Sequence, residues 1–133
     1  MTRYGIAVAV AGLAVTGLAG CADPSATTHV VHLGHDESQV SEVSMRVGQL
    51  LSIVDDEFNA SVGDGWTLTR EPDATVLERV GEGVVLDEPD AVGGGGTYTL
   101  DYTAVGAGST SVTLEYAYRG EPAFESTVRV TVD

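Results

Sequence analysis

Val112-Thr113-Leu114-Glu115-Tyr116-Ala117-Tyr118 carries a large apolar side chain at every second position, with polar or small residues between. Successive side chains of an extended chain point to opposite faces, so this alternation describes a β-strand with one buried face. It also predicts Tyr118 on the same inward side as Leu114 and Tyr116. Working outward, Val128, Val130 and Val132 alternate with Arg129 and Thr131, and Tyr98, Leu100 and Tyr102 alternate with Thr99, Asp101 and Thr103. Further upstream Trp66 and Leu68, Leu51 and Ile53, and Val43, Met45 and Val47 repeat the pattern. Trp66 is expected in the core. Two less regular runs, Thr75 to Val80 and Val84 to Asp87, are punctuated by Gly81 and Gly83 and read as a short edge region. No stretch after Val40 has helical periodicity. An all-β, immunoglobulin-like β-sandwich of about seven strands is the expected fold, one domain over residues 41–133.

The N-terminus has a different organisation. Arg3 precedes Ile6 to Leu18, a run of Ala, Val, Ile, Leu, Gly and Thr that is too short and glycine-rich for a spanning helix but suits the apolar region of a signal peptide. It ends in Leu18-Ala19-Gly20-Cys21, which resembles the lipobox of prokaryotic lipoproteins. The resemblance implies a signal peptide over residues 1–20, lipidation of Cys21, and export to the outer side of a membrane of the cell envelope. Residues 21–40 are expected to be a flexible tether. Within them His29, His32 and His35 recur at every third position, but an extended segment turns His32 away from the other two, and no other His follows to complete a metal site. No metal or other cofactor is therefore assigned.

Composition narrows what the domain does. The chain has 133 residues and one cysteine, which the lipid would use, so the domain must hold together through its core without a disulfide. All 6 basic residues are Arg, against 20 acidic ones, and removing Arg3 makes the chain one unit more negative than its formal −14. Such a surface repels nucleic acid and anionic lipid headgroups, and a soluble, monomeric domain is expected. An enzyme is not expected: no cysteine is left as a nucleophile, and every histidine lies before the strands. Asp55-Asp56-Glu57 and Asp87-Glu88 with Asp90 could be acid/base pairs or calcium ligands. Neither has EF-hand spacing, and in so acidic a chain such clusters are expected as solvated loops.

Two loops have unusual chemistry. Asn59-Ala60-Ser61-Val62-Gly63-Asp64-Gly65-Trp66 joins two strands, and Gly93-Gly94-Gly95-Gly96-Thr97 leads into another. A run of four glycines lets another chain approach the bare backbone. At these residues the sequence resembles the chagasin-type inhibitors of papain-like cysteine peptidases. Asn59, Gly63 and Trp66 fit that family's Asn-Pro-Thr-Thr-Gly loop with a Trp three residues on, and Gly93, Gly95, Gly96 and Thr97 fit its Gly-x-Gly-Gly-Thr loop. The Val47-Gly48-Gln49 turn and the Gly106 to Val112 segment fit the family's order. The resemblance implies a reversible, noncovalent inhibitor that occludes a papain-like peptidase cleft with three loops at one end of the sandwich. The contact residues would be Asn59, Ala60, Ser61, Val62 and Gly63 in the first loop, Gly93, Gly94, Gly95, Gly96 and Thr97 in the second, and Arg119 and Gly120 in the third.

This chain departs from the family pattern in places. Ala60 stands where the family has Pro, Ser61 and Val62 where it has paired Thr, and Tyr118-Arg119-Gly120-Glu121-Pro122 where it has Arg-Pro-Trp. Tyr118 or Phe124 could supply the missing aromatic. Two other readings stay open on the residues alone: an immunoglobulin-like envelope lipoprotein that binds another protein without inhibiting a peptidase, and a metal-binding lipoprotein that uses the His29 to His35 segment.

Overall fold

The computed structural model describes residues 27–90 and 92–133. The expected signal peptide, Cys21 and the first part of the expected tether lie outside them. Eight strands follow in chain order: β1 (Thr28–His32), β2 (Gln39–Met45), β3 (Leu50–Phe58), β4 (Asp64–Arg70), β5 (Leu77–Leu86), β6 (Gly96–Ala104), β7 (Gly108–Tyr118) and β8 (Glu121–Val132). They form two four-stranded sheets, ordered β2-β8-β7-β4 and β1-β3-β6-β5. Both are mixed, because β2 runs parallel to β8 and β1 parallel to β3. This is an all-β sandwich, and the only helical piece among the described residues is a 3₁₀ turn at Ala60–Val62.

The alternation read from the sequence sets the core. Leu51 and Ile53 of β3, Leu100 and Tyr102 of β6, Val112 and Leu114 of β7, and Val128 and Val130 of β8 are almost wholly buried between the sheets. Each buried side chain of this size contributes about 1.5–3 kcal/mol by leaving water, so the facing apolar rows are what hold the sheets together.

Four expectations need correction. The flexible tether to residue 40 does not hold from Thr28 on: β1 pairs with β3, β2 begins at Gln39, and Val31 and Leu33 are buried in the core. Burying those two side chains outweighs the polarity of the flanking histidines. The edge region is one continuous strand, β5, with a register shift between Arg79 and Gly81 that takes up the irregularity instead of ending the strand. Tyr118 is 44% exposed and outside the core, because inward packing ends at Tyr116 and Tyr118 closes the β7–β8 hairpin opposite Glu121. Finally, Gly96 and Thr97 belong to β6 and not to the loop before it.

Candidate functional site

The loops after β3, β5 and β7 emerge at one end of the sandwich and touch. The central one is built on Asn59, which precedes the 3₁₀ turn and accepts the Ser61 N–H on its side-chain oxygen at 2.9 Å. The Val62 and Asp64 amides both donate to the Asn59 carbonyl at 3.2 Å, and Gly63 closes the turn at φ +110° by donating to Ala60. A side-chain amide both accepts and donates, which a carboxylate cannot do. Asn59 uses both functions: its Nδ2 donates to the Gly93 carbonyl at 3.1 Å, so the central loop is fastened to the glycine loop.

The third loop joins on the other side. Arg119 and Gly120 form a two-residue connection with φ of 55° and 83°, the torsions of a tight turn between twisted strands. The Arg119 amide donates to the Gly63 carbonyl at 2.7 Å. Its guanidinium carbon lies 5.3 Å from the centre of the Tyr118 ring, within range of a cation–π interaction.

The glycine run divides by role. Gly93 and Gly94 lie in the loop, and the Gly95 carbonyl accepts from the Asp87 amide at 3.1 Å to close it. Gly96 pairs with Phe58 on one side and Leu86 on the other. A Cβ there would lie 2.5 Å from the Val85 carbonyl oxygen, so the approach of the two strands requires glycine. Of the residues expected to contact a peptidase, Asn59 is bonded to Gly93 and Arg119 to Gly63 across the loops. Ala60, Ser61, Val62 and Gly120 are exposed on the same loops, while Gly96 is buried and Thr97 half-buried in β6.

Beneath the loops lies a polar and aromatic network that the sequence reading did not foresee. Asp55, at 1% exposure, accepts from the Trp66 indole at 2.8 Å and the Glu57 amide at 3.0 Å, and its Oδ2 lies 2.5 Å from His35 Nε2. Asp64 accepts the Tyr116 hydroxyl at 2.5 Å on one oxygen and the Asn59 amide at 2.8 Å on the other. Burial, followed by the bond to Asp64, holds the Tyr116 phenol well above its ordinary pKa. Trp66, Tyr116 and Phe124 pack together with ring centres 5.1–6.2 Å apart, so Phe124 faces inward and Tyr118 is the aromatic left at the surface. The signal for Asp55 was its place in an acidic triplet, which does not distinguish it from the exposed Asp56 and Glu57. The histidines diverge: His29 bonds Gln49, His32 Nδ1 lies 3.8 Å from Asp56, and His35 meets Asp55. Among the described residues no three His, Cys, Asp or Glu side chains gather around one point as metal ligands.

A disulfide-free two-sheet sandwich that presents three cross-braced loops at one end defines an immunoglobulin-like scaffold of the loop-binding class. Residues 44–132 match the chagasin family peptidase inhibitor I42, and the chain belongs to that family. It is thus a protease-inhibitor relative and not an enzyme. No curated protein matches the chain in sequence. Among solved structures it is similar to the cysteine protease inhibitor EhICP2 from Entamoeba histolytica, with 17% identity and TM-score 0.60 over 80% of this chain and 96% of that one. Amebosin has 22% identity and TM-score 0.57, over 79% of this chain and 98% of that one. PbICP-C, solved in complex with falcipain-2, has 17% identity and TM-score 0.57, over 79% and 99% respectively. At these identities the likeness is one of fold.

Proposed function

We propose that this protein is a lipid-anchored inhibitor that plugs the cleft of a papain-like cysteine peptidase with the loops at Asn59 to Gly63, Gly93 to Gly95 and Tyr118 to Gly120. The observation that carries this reading is the pair of bonds, Asn59 to Gly93 and Arg119 to Gly63, that turns three separate loops into one rigid projection in a member of a peptidase-inhibitor family. The complex of the similar PbICP-C with falcipain-2 supports the class of partner.

The geometry suits occlusion. A peptidase of this kind must lay its substrate out extended across the catalytic residues, whereas Asn59 to Asp64 is wound on itself and the amides of Asn59, Ser61, Val62, Gly63 and Asp64 are already bonded internally. It enters the groove without offering a bond in a cleavable conformation. A pre-formed loop also gives up little conformational freedom on binding. Gly93 to Gly95 offers backbone groups with no side chains in the way, and Tyr118 supplies the exposed aromatic surface in place of the family's Trp. The two-residue Arg119-Gly120 turn, where the family has Arg-Pro-Trp, favours a second reading, a module that binds another envelope protein without inhibition.

Titrating the purified protein against a papain-like peptidase separates the two. Inhibition at submicromolar concentration is expected, and Tyr118→Ala should weaken it about tenfold or more, as truncating an aromatic anchor does. No inhibition at micromolar protein would leave the non-inhibitory module.

A further inference from the structure

We propose that His35, from the segment between β1 and β2, is a positioning residue that sets the central loop through Tyr116 and Asp64. The effect on inhibition rests on the reading above; the coupling itself does not. His35 lies outside residues 44–132, the stretch of chain that matches the family.

The contacts form an unbroken path. The His35 side chain is 21% exposed, and because a carboxylate only accepts, its Nε2 donates to Asp55. The same Asp55 oxygen holds the indole of Trp66, which fixes the carboxylate against the β4 sheet. The imidazole lies flat on Tyr116, with centroids 4.8 Å apart and planes inclined by 18°. It thereby covers one face of a ring whose other neighbours are Trp66 and Phe124. The Tyr116 hydroxyl occupies one oxygen of Asp64, and the other oxygen holds the Asn59 amide at the start of the central turn. From Asn59 the path continues to Ser61 and Gly93.

Removing the imidazole takes a donor from a buried carboxylate and opens a face of Tyr116 to water. With the ring less constrained, its hydroxyl no longer holds Asp64 in one orientation, and the Asn59 amide loses a fixed acceptor. Side chains held by such networks stay in place only while every member is satisfied. His32, the last residue of β1, offers a control nearby, because its imidazole is exposed and only loosely placed near the equally exposed Asp56.

Amide hydrogen exchange tests the coupling directly. In His35→Ala the Asn59 amide should exchange about tenfold faster, while that of Leu114, at the centre of β7, stays within about twofold of wild type. Inhibition should weaken about tenfold in parallel, and His32→Ala should change neither. His35→Gln, whose planar amide can donate to Asp55 from where Nε2 does and cover the same face of Tyr116, should restore most of the Asn59 protection, and exchange as fast as in His35→Ala would overturn the proposal. An unchanged Asn59 rate, or equal acceleration at Asn59 and Leu114, would overturn the proposal. If His35→Ala does not fold, Tyr116→Phe, which keeps the stacked ring and removes only the hydroxyl, must speed Asn59 exchange by a similar factor, and no change there overturns it too. A wild-type protein that inhibits no papain-like peptidase would remove the inhibitor reading while exchange still decides the coupling.

Discussion

Gly63 is where the central and third loops are pressed together. Its φ of +110° lies where side chains are strained, and a Cβ would sit 2.6 Å from Arg119 Cγ and 2.9 Å from the Arg119 amide nitrogen. The amide cannot retreat without losing its bond to the Gly63 carbonyl, so Gly63→Ala must both strain its own backbone and drive the loops apart. We expect a loss of about 1–3 kcal/mol in stability, read from the denaturant midpoint, together with clearly weaker inhibition. Gly93→Ala makes the comparison: its φ is +76° but nothing lies within 4 Å of the new methyl, so only the torsional strain applies and the loss should be smaller. Equal losses in the two variants would show that the packing of Gly63 on Arg119 contributes nothing. The sequence pointed to Gly63 through its spacing from Asn59 and Trp66. The reason glycine is needed there lies in a residue 56 positions further on, which no local pattern reveals.

Strands that alternate over a long apolar row, such as β6, β7 and β8, were legible because each successive inward residue repeats the same message. β1 was not. Its apolar residues include the adjacent Val30 and Val31, which break a period of two; only Val31 points inward, while Val30 is half-exposed. In β5 the exposed Val80, Val84, Val85 and Leu86 hide the alternation, and two glycines imitate breaks in what is one edge strand. The loops of the site were readable as motifs, but the carboxylates that brace them were not, since Asp55 and Asp64 gain their roles only from the Trp66, Tyr116 and His35 brought against them by packing. Leu33→Ala measures how firmly the N-terminal segment belongs to the domain. Leu33 is buried, and its amide donates to the Val54 carbonyl at 2.8 Å. Truncation in a folded segment should cost about 2 kcal/mol or more, visible as a lower denaturant midpoint. In a free tether it would cost nothing, and an unchanged midpoint would return residues 28–40 to that description.

The direction in which β1 runs has a consequence for an anchored protein. β1 is parallel to β3, with Thr28 beside Leu50 at the start of β3 and His32 beside Val54, whereas the central loop follows Phe58 at the far end of β3. The chain therefore enters the domain at the end opposite the three loops, and the length of β3, about 30 Å at about 3.3 Å per residue, separates the two. If Cys21 carries acyl chains, the segment from Ala22 to Thr27 can span at most about 20 Å. That suffices, because the loops face away from the membrane without a long spacer, and repulsion between the acidic domain and anionic headgroups favours the same orientation. Mass spectrometry of the mature N-terminal peptide should find Cys21 first and acylated; an unmodified thiol or another N-terminus would remove the anchor. With the anchored protein on lipid vesicles, inhibition of a soluble papain-like peptidase should lie within about threefold of that by a chain beginning at Ala22, because a membrane behind the domain leaves the on-rate nearly untouched. Inhibition weaker by about tenfold or more on the vesicles would mean that the membrane covers the loops, and that the domain lies on its side or points inward.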